Sequence, residues 1–104
     1  MGLFDKRKRK KEILAMVQRL NGRHIRYVGE KKDGIEEVVG KDGCLAVSGD
    51  DFLVVASEQI ILRCSLDELD IWELLSKEGA VITAPDKEHG NTVRTIIAYY
   101  VYYR

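Results

Sequence analysis

The chain has 104 residues, of which 45% are hydrophobic, so one domain with a modest core fits this sequence and a second domain of ordinary size does not. It carries 17 lysines and arginines against 17 aspartates and glutamates, and the resulting net charge of zero argues against a chain that is basic throughout, as nucleic-acid-binding domains often are. Domains of this size are marginally stable by themselves, and association with a second copy is a common remedy.

Charge is nevertheless distributed unevenly along the chain. Residues 1–32 contain eleven lysines and arginines but only three acidic residues, whereas residues 33–104 contain six and fourteen. The net charges of these two parts are therefore +8 and −8. This asymmetry predicts a basic N-terminal arm on an acidic body, and the arm can bind phosphates or lie against the acidic body of its own or a neighbouring subunit.

An amphipathic helix is predicted next to the N-terminus. Asp5 can cap a helix that begins in the basic run 6–11, and Gly22 can end it because glycine accepts the left-handed conformation. Because six adjacent cations oppose the helix dipole, we expect residues 1–11 to form an arm that frays unless a counter-charge orders it. Over residues 12–21 an apolar stripe recurs at helical spacing, and it consists of Ile13, Met16, Val17 and Leu20.

Residues 23–104 are predicted to form the β-rich body of this single domain. From His24 onward the apolar residues alternate with polar ones or form short runs, and turn-forming residues separate the runs at regular intervals. The Asp42-Gly43 pair is the strongest of these turn signals. Strands are predicted at residues 24–28, 35–39, 44–47, 52–56, 60–64, 80–84 and 93–103.

The segment between the strands at 60–64 and 80–84 allows two interpretations. A capping box at Ser65–Glu68 favours a helix up to Lys77. The alternative is a tight turn at residues 66–69, followed by a strand at 71–75 and a second turn at 76–79. We favour this alternative, because a further strand beside its neighbours is what a barrel needs.

Part of the chain resembles a known family. The predicted helix leads into Leu20-Asn21-Gly22-Arg23-His24-Ile25, and Gly43-Cys44-Leu45 is followed by an acidic turn and an apolar strand, Gly49-Asp50-Asp51-Phe52-Leu53-Val54-Val55. In Ile60-Ile61-Leu62-Arg63-Cys64 an arginine then follows a short apolar strand. Over roughly residues 12–75 this order is similar to the Sm-like small barrel that is shared by bacterial and archaeal RNA-associated rings.

The strand pattern and this resemblance together predict the fold class. We expect a mainly β chain folded as a small, strongly bent antiparallel β-barrel of the Sm or SH3 type, with an N-terminal basic amphipathic helix and a C-terminal hairpin. A pleckstrin-like barrel is the alternative. The resemblance implies RNA binding, but the family's RNA pocket is not carried over to Arg63 and Asp51, because Cys64 stands where the family pattern has a glycine.

Residues with catalytic potential are few and scattered. His24 and His89 lie far apart in the sequence and are predicted on a strand surface and in a solvated turn. Cys44 and Cys64 lie in apolar runs without CxxC spacing, which predicts reduced core thiols. Neither a nucleophile elbow nor a glycine-rich phosphate loop is present in the sequence. We therefore predict a protein that is not an enzyme and has no cofactor, metal or small-molecule substrate.

The basic residues form the first candidate interaction site. Six contiguous cations can neutralise several phosphates of an RNA or contact an acidic protein, and the competing interpretation is a solvated tail. The predicted contact residues are Lys6, Arg7, Lys8, Arg9, Lys10, Lys11, Arg19, Arg23 and Arg26.

The C-terminal strand at 93–103 is the second candidate site. Both of its faces are apolar or aromatic, which predicts either a central position in the sheet or a contact with another subunit. We favour core or subunit interface over a platform that stacks nucleic-acid bases, because no lysine or arginine is interleaved between Thr95 and Arg104. The predicted interface residues are Ile97, Tyr99, Tyr100, Val101, Tyr102 and Tyr103.

These features predict a non-catalytic interaction module that forms homo-oligomers through its tyrosine-rich terminal strand and uses its basic arm on an acidic partner. The alternative is an RNA-binding Sm-like protein that uses the same arm. The charged start lacks an apolar signal segment, and no apolar stretch approaches the length of a transmembrane helix, so we expect a cytoplasmic location.

Overall fold

The structure is a computed structural model, and it describes the backbone of residues 3–100 and the side chains from Arg9 to Tyr100. Within this part of the chain one N-terminal helix precedes seven β-strands, and a short 3-10 turn, Lys87–His89, connects the last two strands. The elements are α1 (Leu3–Leu20), β1 (His24–Lys32), β2 (Ile35–Ser48), β3 (Asp51–Ala56), β4 (Gln59–Ser65), β5 (Asp70–Glu73), β6 (Gly79–Asp86) and β7 (Thr92–Tyr99).

Helix α1 ends where the sequence predicts. Gly22 has a φ of +83°, and the backbone N–H of Arg23 donates to the carbonyl of Leu20 at 2.9 Å, which closes the last turn. The helix begins at Leu3, so its backbone includes the basic run. No helix among residues 3–100 has the length and apolar character that crossing a bilayer requires.

The seven strands form one antiparallel sheet in the order β4-β3-β2-β1-β7-β6-β5. The mainly β fold, its N-terminal helix and the C-terminal β6–β7 hairpin are therefore confirmed. The sheet is open rather than a closed barrel, because β4 and β5 are its two edges and are not paired with each other. The preferred interpretation of residues 65–79 is also confirmed, since a turn precedes the short strand β5 and another turn follows it.

The prediction of a hairpin turn at Asp42-Gly43 is wrong. β2 runs through this point without a break, and Asp42 takes up the local distortion with a φ of +49°. Gly43 is required for another reason: a Cβ atom there would lie 1.7 Å from the carbonyl oxygen of Val55 on β3. Glycine therefore marks a close approach of two strands at a bend, not a reversal of the chain.

One core fills the inner face of the sheet, and α1 covers it. The apolar stripe of α1 contributes Ile13, Val17 and Leu20, which are all buried. Fully burying one such side chain stabilises the fold by roughly 1.5–3 kcal/mol. The largest fully buried apolar side chains of the sheet are Phe52, Ile25, Leu45, Leu62, Ile71, Ile82, Ile96, Val28 and Val54.

Candidate functional site

Charged side chains connect β4 to β6, two strands that no backbone ladder joins. The Asp86 side chain accepts a hydrogen bond from the backbone N–H of Arg63 at 3.2 Å, and Arg94 donates to the carbonyl of Ile61 at 2.7 Å. Two side chains thus satisfy the backbone of β4 at the place where a closed barrel would have a neighbouring strand. We use the name charged seam for Asp86, Arg94, Glu30 and His89.

Asp86 and Arg94 form the centre of the charged seam. Asp86 is fully buried, and its carboxylate accepts a hydrogen bond from Nη1 of Arg94 at 2.6 Å and from the backbone N–H of Glu88 at 2.9 Å. Arg94 also donates to both carboxylate oxygens of Glu30, from Nε at 3.0 Å and from Nη2 at 2.7 Å. This two-point geometry suits the planar guanidinium group, which compensates two carboxylates at once.

Hydrogen bonding sets the protonation of these groups. The bonds from Arg94 hold the pKa of Glu30 below its usual range. Burial raises the pKa of Asp86, but the hydrogen bonds from Arg94 and from two backbone N–H groups outweigh this effect and lower it. The bond to Glu30 raises the pKa of Arg94. All three groups are therefore charged near neutral pH, and each stabilises the others.

His89 lies at the solvent side of the charged seam. Its Nδ1 is 2.6 Å from Asp86, while the side chain remains 58% exposed and borders an open depression of about 730 Å³. A buried carboxylate that holds a histidine can orient a general base. However, neither serine nor cysteine lines this depression; its hydroxyl groups belong to Thr92 and Thr95. Among residues 9–100 no group of three or more His, Cys, Asp or Glu side chains is arranged to hold a metal ion.

The described part of the basic arm lies against the chain's own acidic body. This is one of the two arrangements that the charge asymmetry allows. Such partly exposed pairs each contribute at most about 1 kcal/mol, so together they orient α1 more than they stabilise it. The pairs are Arg9 with Asp70 at 2.7 Å, Lys10 with Asp67 at 3.1 Å and Arg19 with Glu73 at 3.2 Å.

Arg9 and one further predicted contact residue, Arg23, lie against aromatic rings. The guanidinium of Arg9 lies 4.2 Å from the ring centre of Trp72, and that of Arg23 lies 4.4 Å from the ring centre of Tyr100. Lys11 is exposed and Arg26 is half-buried. The side chains of Lys6, Arg7 and Lys8 lie outside the described residues.

The tyrosine-rich strand occupies a central place in the sheet, between β1 and β6. Tyr100 belongs to the core, where burial raises its pKa to about 12, and Ile97 is only 7% exposed. Tyr99 stacks on Tyr27 with 4.4 Å between the ring centres. The central position thus explains two apolar faces within a single chain. Three further predicted interface residues, Val101, Tyr102 and Tyr103, lie outside the described residues.

An apolar row crosses five strands on the outer face of the sheet, opposite the core. The alternating neighbours of Ile97 on β7 belong to the core, so Ile97 itself faces outward. Strand register places its cross-strand neighbours directly beside it. Trp72 and Val38, at the two ends, are 50% and 56% exposed. We use the name outer row for Trp72, Val81, Ile97, Gly29 and Val38.

Two further rows flank the outer row on the same face. One is polar and the other contains the stacked tyrosines, and together they carry two lysines and two carboxylates. The polar row is Asp70, Thr83, Thr95, Lys31 and Glu36, and the tyrosine row is Gly79, Tyr99, Tyr27 and Lys41.

The remaining predicted residues have structural roles. Both cysteines are free thiols, and burial raises the pKa of Cys64 to about 12. Arg63 forms an ion pair with Glu88, and Asp51 forms one with Lys87 at 2.6 Å. Both partners belong to the 3-10 turn, which lies beyond the segment that resembles the Sm-like family.

The charged seam was not predicted from the sequence. One signal was available: Arg94 is a lone cation at the start of a strand that is otherwise apolar, so it needs a buried partner. Its partners lie 64 and 8 residues away, and no local pattern connects them.

Comparison with known proteins gives no match to a family model, to a curated protein or to a solved structure. The surfaces of the chain are therefore the basis for its functional assignment.

Proposed function

We propose that this chain is a non-catalytic protein-interaction module that self-associates through the outer face of its sheet. The observation that supports this function is the outer row, whose members on five strands are apolar and face away from the core, and of which α1 contacts Trp72 through Arg9. Its end residues Trp72 and Val38 remain half exposed. The centre of the outer row is covered within the chain, since Ile97 is only 7% exposed and the Glu36 side chain lies over Gly29. The exposed apolar area is therefore at Trp72 and Val38, and large apolar side chains exposed on one face are typical of contact sites.

The charges beside the outer row favour a second copy of this chain as the partner. Two lysines and two carboxylates balance each other, so this face does not select a strongly charged ligand. Two copies can pack face to face about a two-fold axis that runs along the outer row. The polar row of one copy then lies opposite the tyrosine row of the other. Glu36 then lies opposite Lys41 of the second copy, and Lys31 lies opposite its Tyr27, which pairs unlike groups.

The size of this face sets the expected strength of association. Five strands about 4.8 Å apart and three rows of side chains give a face of roughly 20 by 20 Å, or about 400 Å² per copy. Stable interfaces bury about 800 Å² per partner, so a reversible dimer is expected. We expect its dissociation constant to be weaker than about 1 μM.

Sedimentation velocity over a concentration series up to about 1 mM tests this function. We expect the weight-average sedimentation coefficient to rise with concentration, and we expect Trp72→Ala to abolish the rise. Leu75→Ala is the matched control, because Leu75 is fully exposed but lies in the turn after β5, outside the outer row. A chain that remains monomeric throughout, or two variants that behave alike, would refute the proposal.

An RNA-binding Sm-like barrel is the alternative function. The feature that favours it is the length of α1. Its backbone begins at Leu3, so the helix includes the cations of the basic run that precede Arg9, the residue paired with Asp70. If the arm binds RNA, replacing residues 8–10 with alanine should weaken binding to a single-stranded RNA uniformly across sequences and reduce its salt dependence. Absence of binding at low salt removes this alternative.

A further inference from the structure

Half of β2 lacks a neighbour on one side. Strand pairing with β1 extends along β2 from Ile35 to Cys44, whereas pairing with β3 begins only at Gly43. Among residues 3–100 no strand pairs with this edge before that point. We use the name free edge for residues 35–39.

The bend in β2 explains why the free edge exists. The side chain of Ser57, in the turn after β3, accepts a hydrogen bond from the backbone N–H of Lys41 at 2.9 Å, and its backbone N–H donates to the Lys41 carbonyl at 2.7 Å. These bonds close the pairing of β2 with the β3–β4 hairpin at the bend near Asp42. The hairpin of β1 and β2 continues beyond this point, where β1 still pairs with β7 up to Lys31.

The side chains of the free edge combine apolar and acidic groups. Ile35 and Val38 are 63% and 56% exposed. Glu36 accepts a hydrogen bond from the hydroxyl of Tyr99 at 2.6 Å, but Glu37 has no hydrogen-bond or ion-pair partner in the described part of the chain. A depression of about 200 Å³ lies on one face of the β1–β2 hairpin, and it is lined by Glu30, Lys32, Asp33, Ile35, Glu37 and Val39.

We propose that the free edge binds an extended peptide of alternating basic and apolar residues by strand addition. A free strand edge provides backbone donors and acceptors for such a ladder. Glu36 and Glu37 lie on opposite faces of β2, and Tyr99 holds the Glu36 carboxylate over β1, so Glu37 is the carboxylate that a basic side chain of the added strand meets. The site belongs to the proposed interaction function, and it shares only Val38 with the outer row and only Glu36 with the polar row beside it.

Charge separates this partner from a second copy of the chain. If a second copy added its own free edge, its Glu36 and Glu37 would lie beside a strand that already carries both residues. A two-fold axis at Glu37 would place the two Glu37 side chains directly opposite each other. Like charges opposite each other are destabilising, so these residues guard the edge against self-pairing. A basic strand meets no such penalty.

An NMR titration tests the proposal with the full chain and a synthetic eight-residue peptide of alternating lysine and valine. We expect the amide shift changes to concentrate at residues 35–39 and at their neighbours on β1. The same peptide N-methylated at two adjacent central residues should not bind, because this modification blocks both of its edges. Equal binding of the methylated peptide, or no shift changes at the free edge at millimolar peptide, would overturn the proposal.

A pair of variants tests the contribution of charge. Glu37→Gln should weaken binding of the lysine–valine peptide by about two- to fivefold at low salt, as expected for loss of one exposed ion pair. Glu68→Gln is the matched control. Glu68 is exposed and lies in the turn between β4 and β5, outside the β1–β2 hairpin, so this variant should leave binding unchanged. Equal affinity of Glu37→Gln and the native chain would refute the role of charge.

The outcomes also separate this proposal from self-association through the outer row. Trp72→Ala should remove the concentration dependence of sedimentation but leave peptide binding intact. Glu37→Gln should leave the concentration dependence of sedimentation unchanged and weaken peptide binding by about two- to fivefold. Peptide binding by a strictly monomeric chain would thus refute only the outer-face dimer, whereas a dimer that ignores the peptide would refute only strand addition.

Discussion

Replacing Asp86 with asparagine should strongly destabilise the fold, because the charged seam depends on this buried carboxylate. Asparagine has the same shape and can still accept hydrogen bonds from the backbone N–H groups of Arg63 and Glu88. It cannot compensate the charge of Arg94, whose side chain is only 13% exposed. The variant therefore isolates the loss of the negative charge from the loss of the cap.

The size of the effect follows from the burial of the pair. Removing one partner of a buried ion pair typically costs about 3–5 kcal/mol. Glu30 still compensates Arg94, and the backbone bonds remain, so we expect the lower end, about 3 kcal/mol. For a domain of this size, this loss lowers the melting temperature by roughly 12–24 °C.

Urea unfolding with linear extrapolation measures the change, and an unchanged m-value shows that the variant has the same native fold. Asp51→Asn is the matched control, because Asp51 forms an ion pair with Lys87 at the same end of the sheet but with both side chains partly exposed. We expect this control to lose at most about 1 kcal/mol. Equal losses in the two variants would refute the assignment of the charged seam as the closure between β4 and β6.

Three further predictions concern acid, backbone space and thiol reactivity. Folding lowers the pKa of Glu30 from 4.5 and that of Asp86 from 3.8, so the unfolded chain binds protons first as the pH falls. The stabilisation by these two groups is therefore present above about pH 4.5 and is lost below it. Calorimetry from pH 6 to pH 2 should show a smaller loss of stability for Asp86→Asn than for the native chain. Gly43→Ala should lower the free energy of unfolding by more than about 3 kcal/mol in urea titration, because its Cβ would clash with the backbone of β3; a loss below about 1 kcal/mol would contradict the close approach. An aromatic disulfide reagent near pH 8 should modify Cys44 faster than the buried Cys64 in the folded chain, and equal rates would show that Cys64 is accessible.

The sequence predicted those parts of the fold that depend on local pattern. The apolar stripe of α1, its stop at Gly22 and the alternation along β3 and β6 are all properties of short segments. Even the short strand β5 was predicted correctly, because the turns on both sides of it have their own residue signals. In these cases local preference and tertiary structure agree.

Features that depend on distant residues were not predicted. Asp42-Gly43 has the composition of a turn, but neighbouring strands keep β2 extended and make Gly43 necessary for space. Glu30 and Arg94 are 64 positions apart, and their pairing follows from the placement of β7 beside β1. The free edge has the same origin, since it depends on where the β3–β4 hairpin leaves β2.

The fluorescence of Trp72 tests the central claim most directly, because this residue is the one tryptophan in the sequence and lies in the outer row. In a single chain its side chain is half exposed. If the outer face is the contact surface, the emission maximum should shift to shorter wavelength as the chain is concentrated from about 10 μM to about 1 mM, in step with the rise in sedimentation coefficient. An emission maximum that stays constant while the chain associates would contradict the claim.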